Sequence, residues 1–429
     1  MKKVLIITYY WPPSGGAGVQ RWLKLSKYLA KQGVDVHVLT VDPNKASYTT
    51  VDERLNNDVS DKVKVYTTDT FEPLNFYGKM VGKSNVPKSG FSNVSKHGFK
   101  MKVAASIRSN FFIPDPRKGW GKHALKKAKD LINKEGIQHV ITTSPPHSVQ
   151  LIGLKLKRQY GESIKWISDL RDPWTDIYYY PLLNHSFYSR RIDAKYEKQV
   201  VEECDVLLTL GETFKQTFIS KSELPIEEKV ILFSNGYDPE DFENIKIEPD
   251  NSKYTITYTG TMADSYEPQI FFNAVEKLSK KYADDIIEFK MVGSVTDLIK
   301  EELIQKLGDR VSFTPSVSHP EAVTFMCNAD LLFVATPGDA GPVPGKIFEY
   351  IAANKPIIGV GKGDTADVLE KTQTGKAFSR TEGTEIFEYL EKLYLNYKNN
   401  MPFEPNKEAV ESLSVAANAK GMIDSFLAD

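Results

Sequence analysis

The chain alternates short apolar runs with longer amphipathic stretches almost from end to end, and this alternation restricts its fold more than any other feature. Runs of strand length at 4–8, 34–40, 63–67, 139–143, 166–169 and 206–210 are separated by helical patterns, among them 19–32, 122–135, 148–160 and 188–203. A second series at 254–259, 288–292, 311–313, 331–334, 356–360 and 375–378 repeats the scheme. Strands that are apolar throughout are buried on both faces, and a helix after nearly every strand supplies the cover; this is the pattern of parallel sheets. With 429 residues the chain is about twice a typical domain.

The expected fold class is therefore α/β, with two Rossmann-like domains whose parallel sheets face across a cleft, because ligands of such sheets bind beyond the carboxyl ends of the strands. Residues 1–225 form the expected first domain. Residues 226–253, polar and proline-bearing with one short apolar strand at 230–233, read as the connection, and residues 254–405 as the second domain. A last helix at 407–427, after the break at Pro402 and Pro405, is expected to pack back on the first domain.

Composition narrows the class of function. A formal net charge of -1 gives no general attraction to nucleic acid. Cys204 and Cys327 are the two cysteines, far apart, which speaks against a disulfide scaffold or a thiolate metal site and fits a reducing cytoplasm. The apolar start of the chain gives way to Tyr9, Tyr10, Trp11, Pro12 and Pro13, so it reads as a buried first strand rather than a secretion signal. No run approaches the length of a membrane-spanning helix.

Two loops carry the chemistry. In the second half a Gly/Pro loop ends at Pro344 and Gly345, and a helix begins with Lys346 and carries Glu349 one turn further in. A helix N-terminus suits a phosphate, Lys346 adds a full charge at the same place, and Glu349 can accept two ribose hydroxyl protons. The competing reading is ordinary capping with a Lys–Glu pair on the surface. In the first half the first strand runs into Ser14, Gly15, Gly16, Ala17 and Gly18. Such a turn can aim backbone amides at an anion, although Arg21 stands where a dinucleotide fingerprint needs its third glycine. Its competing reading is a turn that needs glycine only for backbone geometry.

Gly15-Gly16 after the first strand, the signature from Asn235 through Asp238 to Phe242, Thr259-Gly260-Thr261, and Pro344-Gly345-Lys346 with Phe348-Glu349 occur in that order. In this the chain resembles the family-four glycosyltransferases of the GT-B fold over nearly its whole length. The segments 142–149 and 169–174 resemble a bacterial polysaccharide-assembly branch. The resemblance implies retaining transfer of a sugar from a nucleoside-diphosphate sugar to a saccharide or polyprenyl-diphosphate-linked acceptor, with no metal or other cofactor. The sequence agrees on the metal, since it has no Asp-x-Asp pair and no ligand-like histidine spacing.

By the same resemblance Glu349 holds the donor ribose, Gly15 and Gly16 face the diphosphate, Gly260, Thr261, Pro344, Gly345 and Lys346 complete the donor site, and the strand end 311–316 lies near the base. Two departures stand out. The second glutamate of the family is replaced by Gly341, and the segment 260–268 lacks the usual Arg…Lys pair, which leaves Lys346 to supply the positive charge.

Arg171, Asp172 and His147, at strand ends of the first domain, are the candidates for handling the acceptor. Their competing readings are a salt-bridged turn over Trp174 and a helix cap. The stretch 79–129 carries thirteen lysines and arginines against the single acid Asp115, interleaved with apolar residues. It suggests peripheral docking at an anionic, cytoplasmic membrane face, or else a solvated basic face. The rivals are a nucleotide-sugar 2-epimerase, a non-catalytic nucleotide-sugar binding protein and, more distantly, a nicotinamide oxidoreductase.

Overall fold

A computed structural model describes residues 2–72, 110, 112–177, 180–248, 250–339 and 343–427. Gly341, and the basic residues from Lys79 to Arg108, lie outside the described residues. The chain divides into two compact units, one of residues 1–210, 214–233 and 419–429, the other of residues 211–213 and 234–418.

The first unit contains a seven-stranded sheet. Its strands are β1 (Lys3–Ile7), β2 (Asp35–Val41), β3 (Lys64–Thr68), β4 (His139–Ser144), β5 (Lys165–Leu170), β6 (Val206–Thr209) and β7 (Val230–Leu232), in the order β3-β2-β1-β4-β5-β6-β7. Every neighbouring pair is parallel, for example Val4 opposite Val36 on one side and His139 on the other. All six residues of β4 are buried, as are four of the five in β1, whereas the edge strand β3 is largely exposed. The strand near 230, read from sequence as part of a connection, pairs with β6 and closes this sheet's edge.

The second unit contains β8 (Tyr254–Thr259), β9 (Ile287–Val292), β10 (Val311–Thr314), β11 (Leu331–Ala335), β12 (Ile357–Val360) and β13 (Gly375–Phe378), in the order β10-β9-β8-β11-β12-β13, again all parallel. Its core packs Phe271, Phe272, Phe289 and Phe333 around Tyr258 on one face, and Val334, Ile347, Phe348 and Ile351 on the other.

Each sheet has one place where consecutive connections leave in opposite directions, between β1 and β4 and between β8 and β11. Beyond the carboxyl ends of such a pair a crevice opens that no crossover helix fills. The two loops singled out from sequence leave from these places.

The C-terminal helix departs from expectation. It is two helices, Lys407–Glu411 and Val415–Ser425. At the break Leu413 accepts the amide of Tyr237, and the amide of Val415 is donated to Tyr237 O, so the chain at 237 takes the backbone groups a continuous helix would have used.

Candidate functional site

In the second unit the site is built from the end of β8 and the helix Gly345–Ala352. Pro344 is the N-cap in an extended conformation, and its carbonyl accepts the Ile347 amide at 3.0 Å. The amides of Gly345 and Lys346 open the helix without intrahelical acceptors. The apolar residues Ile347, Phe348 and Ile351 are buried, which fixes the rotation of the helix and sends Lys346 and Tyr350 toward β8.

Lys346 Nζ donates to Tyr258 Oη at 2.8 Å and to the carbonyl of Thr259 at 2.9 Å, and it sits 4.2 Å from the centre of the Tyr258 ring. The Tyr258 hydroxyl, kept protonated by burial, donates onward to Thr261 O. One turn along the helix, the Tyr350 hydroxyl accepts the Thr259 amide at 2.8 Å. Both backbone polar groups of the last β8 residue are thus held by side chains of one helix.

Gly260 follows with φ of 107°, and a Cβ there would lie 2.9 Å from Lys346 Nζ. The positive φ calls for glycine, and a side chain there would also have to displace the lysine ammonium. Thr261 is exposed, and its amide has no acceptor among the described residues.

Lys346 is therefore not half of a surface ion pair. Burial lowers its pKa to about 8, with Glu349 acting in the opposite direction. A partly shielded ammonium with one N–H left over, next to free amides, is an anion receptor. Glu349 keeps 29% of its side-chain surface exposed, and His319 Nδ1 stands 3.8 Å from its Oε1. His319 Nε2 is in turn 3.1 Å from Asp241 Oδ2. Asp241 belongs to the signature around residues 235–242, and His319 opens the helix His319–Cys327, so two further elements brace the glutamate. Beyond the carboxyl ends of β9 and β10 lies an open depression of ≈ 390 Å³ lined by Gly293, Ser294, Lys300, Phe313, Thr314 and Ser316 among others.

The first unit assembles a different chemistry. Gly15 does not offer an amide: its N–H is donated to Thr50 O at 2.9 Å, which corrects its expected role as a phosphate donor. The turn is stitched to 50–52 as a small bridge, with the Asp52 amide donated to Pro13 O. Gly16 is exposed, caps the helix Ala17–Lys31 with φ of 100°, and its amide has no acceptor among the described residues. Arg21, where a dinucleotide motif would have glycine, is buried; it pairs with Asp169 at 3.1 Å and donates to Phe233 O at 2.7 Å. Asp169 also accepts from Trp22 at 2.7 Å and Thr143 at 2.8 Å, so it is a buried structural anion.

Arg171 is buried and donates to Ser144 O and Gly18 O, each at 2.9 Å, tying the end of β4 to the helix after β1. No salt bridge links it to Asp172 among the described residues. Asp172 is half-buried and no hydrogen-bond donor reaches it there; burial raises its pKa, and the Arg171 charge opposes the rise. His147 does not cap its helix, and among the described residues it forms no ion pair. Its ring stacks on Trp174 at 4.8 Å with Nδ1 shielded and unpartnered, and burial together with the Arg171 and Lys221 charges lowers its pKa to about 3. It is neutral at physiological pH and is a weak proton acceptor. Arg117, counted in the basic stretch, is buried and donates to Ser47 O, so it does not belong to any basic surface.

Tyr258, Tyr350, His319 and Asp241 were not picked out as functional from sequence. Tyr350 and Asp241 lie inside quoted motifs and were within reach; nothing local marks Tyr258 or His319.

Residues 253–396 match the family described as Glycosyl transferases group 1. Among curated proteins no sequence match is found. Among solved structures the chain is similar to sucrose-phosphate synthase from Thermosynechococcus elongatus, with 14% identity, TM-score 0.62, and 99% of this chain and 98% of that one covered. It is similar to HepE from Anabaena in complex with UDP, with 13% identity, TM-score 0.61 and 99% of each chain covered. A proposed UDP-N-acetylglucosamine 2-epimerase from Listeria monocytogenes is also similar, with 12% identity, TM-score 0.53, and 99% and 95% covered. The two parallel sheets match the two Rossmann-like domains of GT-B glycosyltransferases, and the matched domain together with this fold supports a glycosyltransferase.

Proposed function

We propose that the protein transfers a sugar, with retention at the anomeric carbon, from a nucleoside-diphosphate sugar to a saccharide or polyprenyl-diphosphate-linked acceptor in the synthesis of a cell-surface polysaccharide. The observation that carries this reading is the placement of Lys346 Nζ against the end of β8, beside the free amide of Thr261 and the helix start at Gly345. In this reading the diphosphate lies on these groups, Glu349 accepts the ribose hydroxyls, and the base enters the depression beyond β9 and β10. UDP bound to HepE is in keeping with a nucleotide ligand for this fold.

The chemistry follows from charge. The bond from the anomeric carbon to the diphosphate oxygen breaks, and a bond from that carbon to the acceptor hydroxyl oxygen forms on the same face. The acceptor proton passes to the departing phosphate oxygen, so no protein base and no metal is given a part. Lys346 and the helix amides stabilise the growing negative charge, the kind of preorganised interaction that usually contributes most to such a step. Asp172, unpaired and half-buried, is assigned to the acceptor side, and Gly16, whose amide has no acceptor among the described residues, keeps its proposed place as a diphosphate donor. Arg171 is a positioning residue there, and His147 is at most a neutral hydrogen-bonding wall.

The test is a thermal-shift panel of nucleoside diphosphates and their sugars, since a ligand of the native state raises Tm. The best hit should lose its shift in Glu349→Ala and Lys346→Ala. The same donor incubated alone separates the readings: an isomerised sugar would establish the 2-epimerase, and binding with no turnover on any acceptor would establish a binding protein. Product with the inverted anomer would overturn retention.

A further inference from the structure

We infer that the first three turns of the helix Phe187–Glu203 form a docking surface for an anionic lipid bilayer. Phe187 is 71% exposed, Tyr188 77% and Ile192 43%. At about 100° per residue these three, with Arg191 and Lys195, fall on one arc of about 140°. The opposite side of the helix is the buried one, formed by Ser189, Asp193, Glu197, Val200 and Val201.

That inner side is firmly held. Asp193 accepts from Trp174 at 2.8 Å and Tyr180 at 2.9 Å, and Glu197 accepts from Lys221 at 2.7 Å. The helix start is pinned as well, since Asn110 Oδ1 accepts from the Ser186 amide at 2.6 Å and from Ser189 Oγ at 2.7 Å. The outer arc is therefore presented rigidly rather than left over from loose packing.

Charge selects the partner. Arg190, Arg191 and Lys195 form no ion pair with any acid among the described residues, and Arg190 gives only its Nε, to His185 O. The single acid in the first nine residues, Asp193, points inward. In a chain of formal net charge -1 this is a local concentration of cations and not a general basicity. The two rings lie edge to face with their centroids 5.9 Å apart. Aromatic rings at the helix start, followed along the same arc by long basic side chains, suit the boundary between headgroups and acyl chains, where the rings insert and the cations stay among the phosphates.

The test uses the full-length protein in flotation with phosphatidylcholine vesicles, with and without about one third phosphatidylglycerol. Binding is expected only to the anionic vesicles and is expected to weaken with salt. Since each basic residue near such a surface contributes about fivefold, Arg191→Glu with Lys195→Glu should weaken binding by about 25-fold or more. Phe187→Ala with Tyr188→Ala should weaken it at unchanged charge. All four residues are exposed, so Tm should hold in both variants, and any donor-induced thermal shift of the parent should be unchanged in them, which keeps this test separate from the glycosyltransferase reading. Absence of binding, or binding unchanged in both variants, overturns the inference. So does loss of binding only on altering Lys96, Lys100 and Lys102, or a self-association abolished by the same variants.

Discussion

Replacing Lys346 by methionine keeps the length of the side chain and removes its charge and both hydrogen bonds, to Tyr258 Oη and Thr259 O. If this ammonium stabilises the departing diphosphate, kcat/KM should fall by about 10²- to 10³-fold, the effect of deleting one preorganised donor. Stability should behave differently. Holding the charge with a pKa near 8 against an ordinary 10.5 opposes folding at neutral pH by about 3 kcal/mol before allowance for the solvent that still reaches the side chain. Losing two hydrogen bonds costs about 1 kcal/mol each, so the two effects nearly cancel and Tm should move little. The sign follows from proton counting. Between pH 8 and 10.5 the unfolded chain binds more protons at this lysine, so parent stability gains a rising component with pH that the variant lacks.

The assay is kcat/KM for the donor from pH 6 to 9.5, alongside urea unfolding. The parent should lose activity as pH rises through about 8, because the free enzyme sheds this charge. A fall in kcat/KM below tenfold, or the same alkaline limb in the methionine variant, would refute the assignment. A stability loss well above 3 kcal/mol would make Lys346 a structural pin instead.

Other outcomes follow from the same geometry. Glu349→Gln should weaken nucleoside-diphosphate binding by about 10- to 100-fold, read by calorimetry, because hydrogen bonds to a charged acceptor are lost. His319→Ala should weaken it by about fivefold, with Asp241→Asn smaller still, as befits residues that act through the glutamate. Tyr350→Phe leaves the Thr259 amide without its acceptor and should destabilise by about 1–3 kcal/mol in urea. With a pKa near 3, His147 should show no titration by NMR between pH 5 and 8. Because its folded pKa lies below the unfolded value, it withdraws stability as pH falls below about 6.5, by about 3 kcal/mol near pH 4.5, and His147→Gln should lessen that acid sensitivity.

The strands were legible because each is a short apolar run bounded by polar or glycine-bearing turns, and all thirteen are found within a residue or two of their expected ends. The final helix was misread at its middle because nothing in Ser412, Leu413 and Ser414 reveals that Tyr237 will claim the Leu413 carbonyl and the Val415 amide. The helix Gly345–Ala352 and the position of Lys346 at its start were readable from proline, glycine and the periodicity that followed. What Lys346 touches was not, since Tyr258 lies 88 residues away. Gly15 failed for a similar reason: a glycine shows that a backbone is free to turn, not which carbonyl its amide will meet. His147 and Asp172 show the same limit in charge, because burial decides their protonation and burial of a loop is a tertiary property.

One consequence of the helix that grips Thr259 concerns motion. Its Lys346 and Tyr350 occupy the carbonyl and the amide of a single strand residue, so strand tip and helix start can shift only as one body. The Thr259 amide thereby becomes a built-in reporter. Its deuterium uptake would record each separation of the two, and uptake slowed by an occupying anion would register engagement without any measurement of turnover.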